Sequence, residues 1–241
     1  MTLPRHIAGP APVLITADHA SNAVPGGVEL GIAPALLEDH IAIDIGTAAL
    51  AEALAAALDA PALIATVSRL VLDLNRDPGE PSLIPVASDG HVIPGNLALS
   101  QTERALRRDA IHAPYHATIA AEIVARPPAL ILSIHSFTPC LASAPGPQRP
   151  WPVGILYNQD DRAARIALPL LAARGLHVGD NEPYSGRQLN YTMNRHAEAN
   201  GIPYLGVEVR NDGLRDAPGV AHWCNIIADT THQVLRALRQ S

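Results

Sequence analysis

The stretch Ala129-Leu130-Ile131-Leu132-Ser133-Ile134 runs without a break into His135-Ser136. Apolar side chains fall on both faces of its period-two pattern, which predicts a strand covered on both sides, as in a parallel sheet flanked by helices. The same kind of run predicts strands over Val13–Ala17, Ala62–Val67, Leu70–Leu74, Leu130–Ile134, Val153–Tyr157 and Tyr204–Val209. Helical patterns lie between them. Ile45–Leu58 is alanine-rich, Gln101–Ala113 follows a Ser100-Gln-Thr-Glu103 capping box, and Pro114 restarts a helix through Val124. Arg162–Arg174 stops before Gly175, and Leu189–Asn200 and Ala221–Arg239 follow. Strands alternating with helices predict an α/β fold, a three-layer α/β/α sandwich around a mixed, largely parallel sheet. Residues 1–241 are expected to form a single catalytic domain. Two stretches rich in Pro and Gly, 77–96 and 137–152, exceed ordinary connections in length and read as loops over a site.

The chain has 241 residues and a formal net charge of −6. All 17 cationic side chains are arginine, and none clusters into a basic face, which argues against nucleic acid as a partner. The absence of lysine excludes Schiff-base chemistry. Cys140 and Cys224 are isolated, so no disulfide framework is expected and the cytoplasm is the expected location. Pro10 and Pro12 interrupt the N-terminal apolar stretch, which reads as neither a signal peptide nor a membrane span.

In an open α/β sheet, ligands bind beyond the carboxyl ends of the strands. Four apolar runs end in polar residues there: Asp18-His19-Ala20-Ser21-Asn22, Asn75-Arg76-Asp77, His135-Ser136 and Glu208-Val209-Arg210. His19 and His135, each where a buried strand emerges, can converge on one metal ion with a third ligand from an amide or carboxylate. Asn22 follows His19 by three residues, while Asp44 carries the better charge but also precedes a helix it could cap. Glu208 lies within an apolar strand, where a carboxylate is costly unless paired, coordinated or near water; that marks it as general base, or as the partner of Arg210. Arg69 and Arg76 suit bidentate capture of a substrate carboxylate, or pair with Asp73 and Asp77. No G-x-S-x-G elbow, dinucleotide fingerprint or phosphate loop is present.

Several blocks resemble the N-formylglutamate amidohydrolase family over nearly the whole chain: DHASNAVP at 18–25, IDIGTAAL at 43–50, SRLVLDLNR at 68–76, IPGN at 93–96, PYH at 114–116, LSIHSFTP at 132–139, GDNEPYSG at 179–186 and GVEVR at 206–210. The resemblance implies a fold like that of zinc-dependent exopeptidases. It also implies hydrolysis of a small acidic N-acyl amino acid, N-formyl-L-glutamate, to formate and L-glutamate, late in histidine degradation. Carried over, His19 and His135 match metal ligands for one Zn2+ per chain, Asp44 matches the family's early aspartate, and Glu208 its late catalytic glutamate. Zinc exopeptidases of similar fold commonly carry Glu three residues after the first His, where this chain has Asn22. His116 and His196 are further catalytic candidates, and Arg69, Asn75, Arg76, Ser136, Gly186 and Arg210 are candidates for substrate binding. No membrane partner is implied.

Overall fold

The computed structural model describes residues 2–240. Its strands are β1 (Arg5–Ile7), β2 (Val13–Ala17), β3 (Ala62–Ile64), β4 (Ala87–Ser88), β5 (His91–Val92), β6 (Leu130–Phe137), β7 (Val153–Leu156), β8 (Val178–Asp180) and β9 (Tyr204–Arg210). Its α-helices are α1 (Thr47–Leu58), α2 (Pro94–Leu97), α3 (Gln101–Arg107), α4 (Ala113–Ala125), α5 (Arg162–Ala172), α6 (Tyr191–His196) and α7 (Ala217–Leu238). Seven strands form one mixed sheet in the order β1-β3-β2-β6-β9-β7-β8, and β4 and β5 pair apart from it. Only β1 against β3 and β7 against β9 run antiparallel in the large sheet. The other pairings, β2–β3, β2–β6, β6–β9 and β7–β8, are parallel. Helices α1, α5 and α7 pack together as one layer, and α4 meets α6 in the other, so the chain is an α/β/α sandwich.

The central strands are made of the predicted apolar runs. Every residue of β2 and β6 is buried, and Ile131, Leu132 and Ile134 are fully inaccessible. Each such side chain contributes roughly 1.5–3 kcal/mol relative to an exposed one. The capping box forms as expected: the Ser100 hydroxyl accepts from the Glu103 amide at 3.3 Å, and the Ser100 amide donates to Glu103 Oε2 at 2.8 Å.

Two expectations need correction. Leu70–Leu74 is not a strand: it is fully buried, but as turns off the sheet. A buried apolar run looks alike in both settings, and what differs is where the backbone polar groups go. Here side chains take its carbonyls: Leu70 accepts from Asn96 Nδ2 at 2.8 Å and Leu74 from His116 Nε2 at 2.9 Å. The Gln101–Ala113 and Pro114–Val124 helices are also one continuous run, α3 passing through a π-helical turn at 108–112 into α4. Pro114 has no N–H to offer the Ala110 carbonyl, which accepts from the Thr2 amide at 2.9 Å instead.

Candidate active site

The parallel register puts His135 of β6 directly beside Glu208 of β9, and Ser133 beside Gly206, all four lining one cavity of about 250 Å3. Paired residues of neighbouring strands share a face, so these positions form a floor at the carboxyl ends of the strands. His19 enters from just beyond β2. Asp44 arrives from the turn before α1, its amide donating to the His19 carbonyl at 2.9 Å.

Asp44 does not cap the helix. Gly46 occupies that place with φ +84, a left-handed conformation that suits glycine, and a Cβ there would collide with Leu214. The Asp44 carboxylate is thereby free to face the histidines. Its Oδ2 lies 3.0 Å from His135 Nδ1 and 3.3 Å from His19 Nδ1, and Oδ1 accepts from Arg69 Nη1 at 2.9 Å. His19, Asp44 and His135 are all buried, each with a ligand atom within 4.8 Å of the others'. Two ring nitrogens and a carboxylate oxygen form a donor set that suits zinc.

The opposite ring edges support this arrangement. His19 Nε2 lies 2.7 Å from Asp73 Oδ1, while His135 Nε2 faces Ser133 Oγ at 3.2 Å and Asp18 Oδ2 at 3.8 Å. Acceptors behind Nε2 favour the tautomer that keeps a proton there and leaves Nδ1 as the donor to a metal. Asp18 Oδ2 is buried without a hydrogen-bond partner, and Asp18 Oδ1 accepts from the Tyr115 hydroxyl at 2.5 Å. In the metal-free chain burial and Arg69 oppose protonation of His19, but Asp73 and Asp44 raise its pKa to about 9. Burial likewise opposes ionisation of Asp73, yet His19 and Arg69 hold its carboxyl well below the usual range.

Glu208 is 7% exposed, and its Oε2 has no hydrogen-bond partner. Burial pushes its carboxyl up to about 7, against the opposing pull of His135. Arg210 does not pair with it: the guanidinium bonds Asp212 and the Arg149 carbonyl, which turns it away from the cavity.

The cavity also collects Arg69, Asn75, Arg76 and Ser136. Arg69 is committed to Asp44 and to Asp73, 3.0 Å away. Among the described residues the Arg76 guanidinium has one ion-pair partner, Asp73 at 3.8 Å, which leaves it available to a ligand. Asn75 Oδ1 accepts from the Thr192 amide at 2.9 Å. Four other candidates lie outside the cavity. Asn22 donates to Glu38 at 2.9 Å. Gly186 packs where a Cβ would meet the Tyr157 backbone, and His116 and His196 are buried behind the Leu74–Arg76 segment. Asp73, which the sequence offers only as an ion-pair partner of arginine, lines the cavity, and so do His40 and Asp89, which no sequence pattern singles out. Asp89 accepts from the Ala142 and Ser143 amides at 2.8 Å each and lies 3.0 Å from His40 Nε2, tying both long loops together. Cys140 and Cys224 are free thiols. No helix among the described residues is long and apolar enough to cross a membrane.

Residues 11–214 match the N-formylglutamate amidohydrolase family. A gene product of Agrobacterium tumefaciens shares 30% identity and a TM-score of 0.93, covering 99% of this chain and 97% of that one. N-formylglutamate amidohydrolase from Ralstonia eutropha JMP134 has the same fold, with 19% identity and a TM-score of 0.75 over 100% of this chain and 99% of that one. No curated protein matches the chain.

Proposed function

Because the chain belongs to the N-formylglutamate amidohydrolase family, we propose that it hydrolyses the amide of an N-formyl acidic amino acid, N-formyl-L-glutamate, to formate and L-glutamate, using one zinc ion per chain. The observation that carries this reading is the convergence of His19, Asp44 and His135 beside Glu208 in one cavity. On this reading residues 1–241 work as a single catalytic domain, and the two free thiols fit a reducing compartment such as the cytoplasm.

His19 Nδ1, His135 Nδ1 and Asp44 Oδ2 would hold the ion, which supplies a Lewis acid for the scissile carbonyl and acidifies water. Glu208, ionised, accepts the proton of the attacking water and passes it to the amine nitrogen as the C–N bond breaks. Its place beside His135 supports that role. Arg76 grips a substrate carboxylate and fixes the amide over the metal-binding donors, and Asn75 and Ser136 complete the wall. Arg69 neutralises Asp44 and Asp73 and keeps both carboxylates in place.

The test is formate release from N-formylglutamate by the zinc-loaded protein, run as a cycle with Arg76→Lys and an analogue whose side-chain or α-carboxylate is amidated. Lysine keeps the charge but loses the fork, so kcat/KM should fall by roughly 1.5–3 kcal/mol. For the analogue lacking the gripped carboxylate the penalty should nearly vanish. Equal losses on every substrate would make Arg76 a structural partner of Asp73. No formate release at all would refute the assigned reaction.

Zinc affinity should also depend on pH. The ion must displace the proton that Asp73 and Asp44 stabilise on His19, whose pKa they raise to about 9, so below that value binding competes with protonation. The apparent association constant should rise about tenfold or more per pH unit from 6.5 to roughly 9, because His135 is raised as well, and then level off. A flat titration of zinc binding over that interval would exclude His19 as a ligand.

A further inference from the structure

Leu74, Asn75 and Arg76 carry two side chains of the cavity wall, yet no strand ladder holds them, because the apolar run before them lies off the sheet. Their backbone is met instead by two histidines, with a third behind them. His116 Nε2 lies 2.9 Å from the Leu74 carbonyl, and His112 Nε2 lies 3.1 Å from the Arg76 carbonyl. Between them, the Thr192 amide of α6 reaches Asn75 Oδ1.

A carbonyl only accepts, so His116 and His112 must each donate from Nε2. With Nε2 protonated, the neutral His116 ring presents a lone pair at Nδ1, and His196 Nε2 donates to it at 2.9 Å. Both nitrogens of His116 are thus spent on this chain. The rings of His116 and His196 are nearly parallel, 11° between planes, and meet edge to edge through this bond with centroids 5.1 Å apart; the His112 centroid lies 4.2 Å from that of His116, and the Tyr191 ring stands edge-on to His116 at 5.2 Å. All three histidines are buried and none lines the cavity. The π-helical turn at 108–112 ends on His112, one turn before His116.

We infer that His112, His116 and His196 form an uncharged brace that positions Asn75 and Arg76 for substrate, acting through the Leu74 and Arg76 carbonyls. They are positioning residues, touching neither substrate nor metal ligands. Uncharged rings suit this role, since burial, with Arg195 acting in the same direction, lowers the pKa of His116 to about 2 and that of His196 to about 4. A planar ring with two rotatable bonds also holds a donor with little entropy left to lose. The inference rests on the reading of the cavity as the substrate site, and its test keeps the two apart.

The variants are His116→Leu, which removes the donor, and His116→Gln, which keeps an N–H of similar reach. Hydrogen exchange over residues 74–77 is measured by mass spectrometry, and kcat and KM for N-formylglutamate are measured in parallel. In His116→Leu, exchange over 74–77 should quicken about tenfold and KM should rise about tenfold, with kcat lowered by less than about threefold. His116→Gln should recover most of both. Wild-type exchange over 74–77 in a folded His116→Leu protein, or a loss carried by kcat alone, overturns the brace. If His116→Leu does not fold, His112→Leu removes the bond to the Arg76 carbonyl while leaving the His116 bonds in place, and faces the same expectation and the same refutation. If the wild type releases no formate from N-formylglutamate, the substrate assignment fails and the exchange measurement alone decides the brace.

Discussion

Glu208→Gln is expected to leave fold and zinc content intact while lowering kcat on the order of 100-fold or more, the scale for removing a general base. The substitution changes almost no volume, and glutamine cannot take a proton. Glu208 sits level with His135 across the β6–β9 ladder, buried, with one carboxylate oxygen lacking a hydrogen-bond partner among the described residues. Such an orphan is costly to keep unless a ligand uses it. The pH profile should carry the same signature. Burial raises the Glu208 pKa to about 7 without a bound cation, and a cation nearby pulls it lower. A base works only when ionised, so kcat/KM should fall on the acid side with a midpoint at or below about 7, and this limb should disappear in Glu208→Gln. Turnover like that of the wild type would refute the role. Loss of zinc instead would make Glu208 a ligand and Asp44 the candidate base.

The double variant His19→Ala/His135→Ala should bind no zinc and show no turnover above background. Removing two of three donors leaves Asp44, a single carboxylate already bonded to Arg69, and one oxygen ligand does not hold a zinc ion against water. Metal content by elemental analysis is the readout, with His177→Ala as control. His177 is exposed and packs near the Trp151 ring. Full zinc occupancy in the double variant would sink the proposed centre. Chelation of the wild type should abolish activity in the same way, and added zinc should restore it.

Much of this arrangement is legible because the chemistry sits where uniform apolar runs break into polar residues. His19, His135 and Glu208 each announce themselves that way, and parallel strands bring such breaks to one edge. Asp44 is harder to read, since an acidic residue just before a helix is ordinarily a cap; only the left-handed glycine after it moves the cap and frees the carboxylate. Asp73 is hidden inside Leu70–Leu74, where the pattern suggests a strand and the aspartate a local ion pair. It does pair with Arg69 at i−4, but its other oxygen faces His19. His40 and Asp89 meet only through tertiary folding of two loops. The three histidines of the brace come from positions 112, 116 and 196, and no local pattern links the third to the first two.

The reversal between β9 and β7 decides what can vary at this rim. Val153 pairs with Val209, so β7 begins at the same edge where β6 and β9 end. The segment 138–152 therefore leaves the sheet and rejoins it on one rim, without crossing a helix layer, and contributes Thr138, Leu141 and Ser143 to the cavity. Insertions or deletions that spare its bonds to Asp89 and Arg210 cost the slow logarithmic growth of loop-closure entropy. A change of length or composition in this segment is therefore expected to resize the cavity while the floor that carries His135 and Glu208 keeps its register.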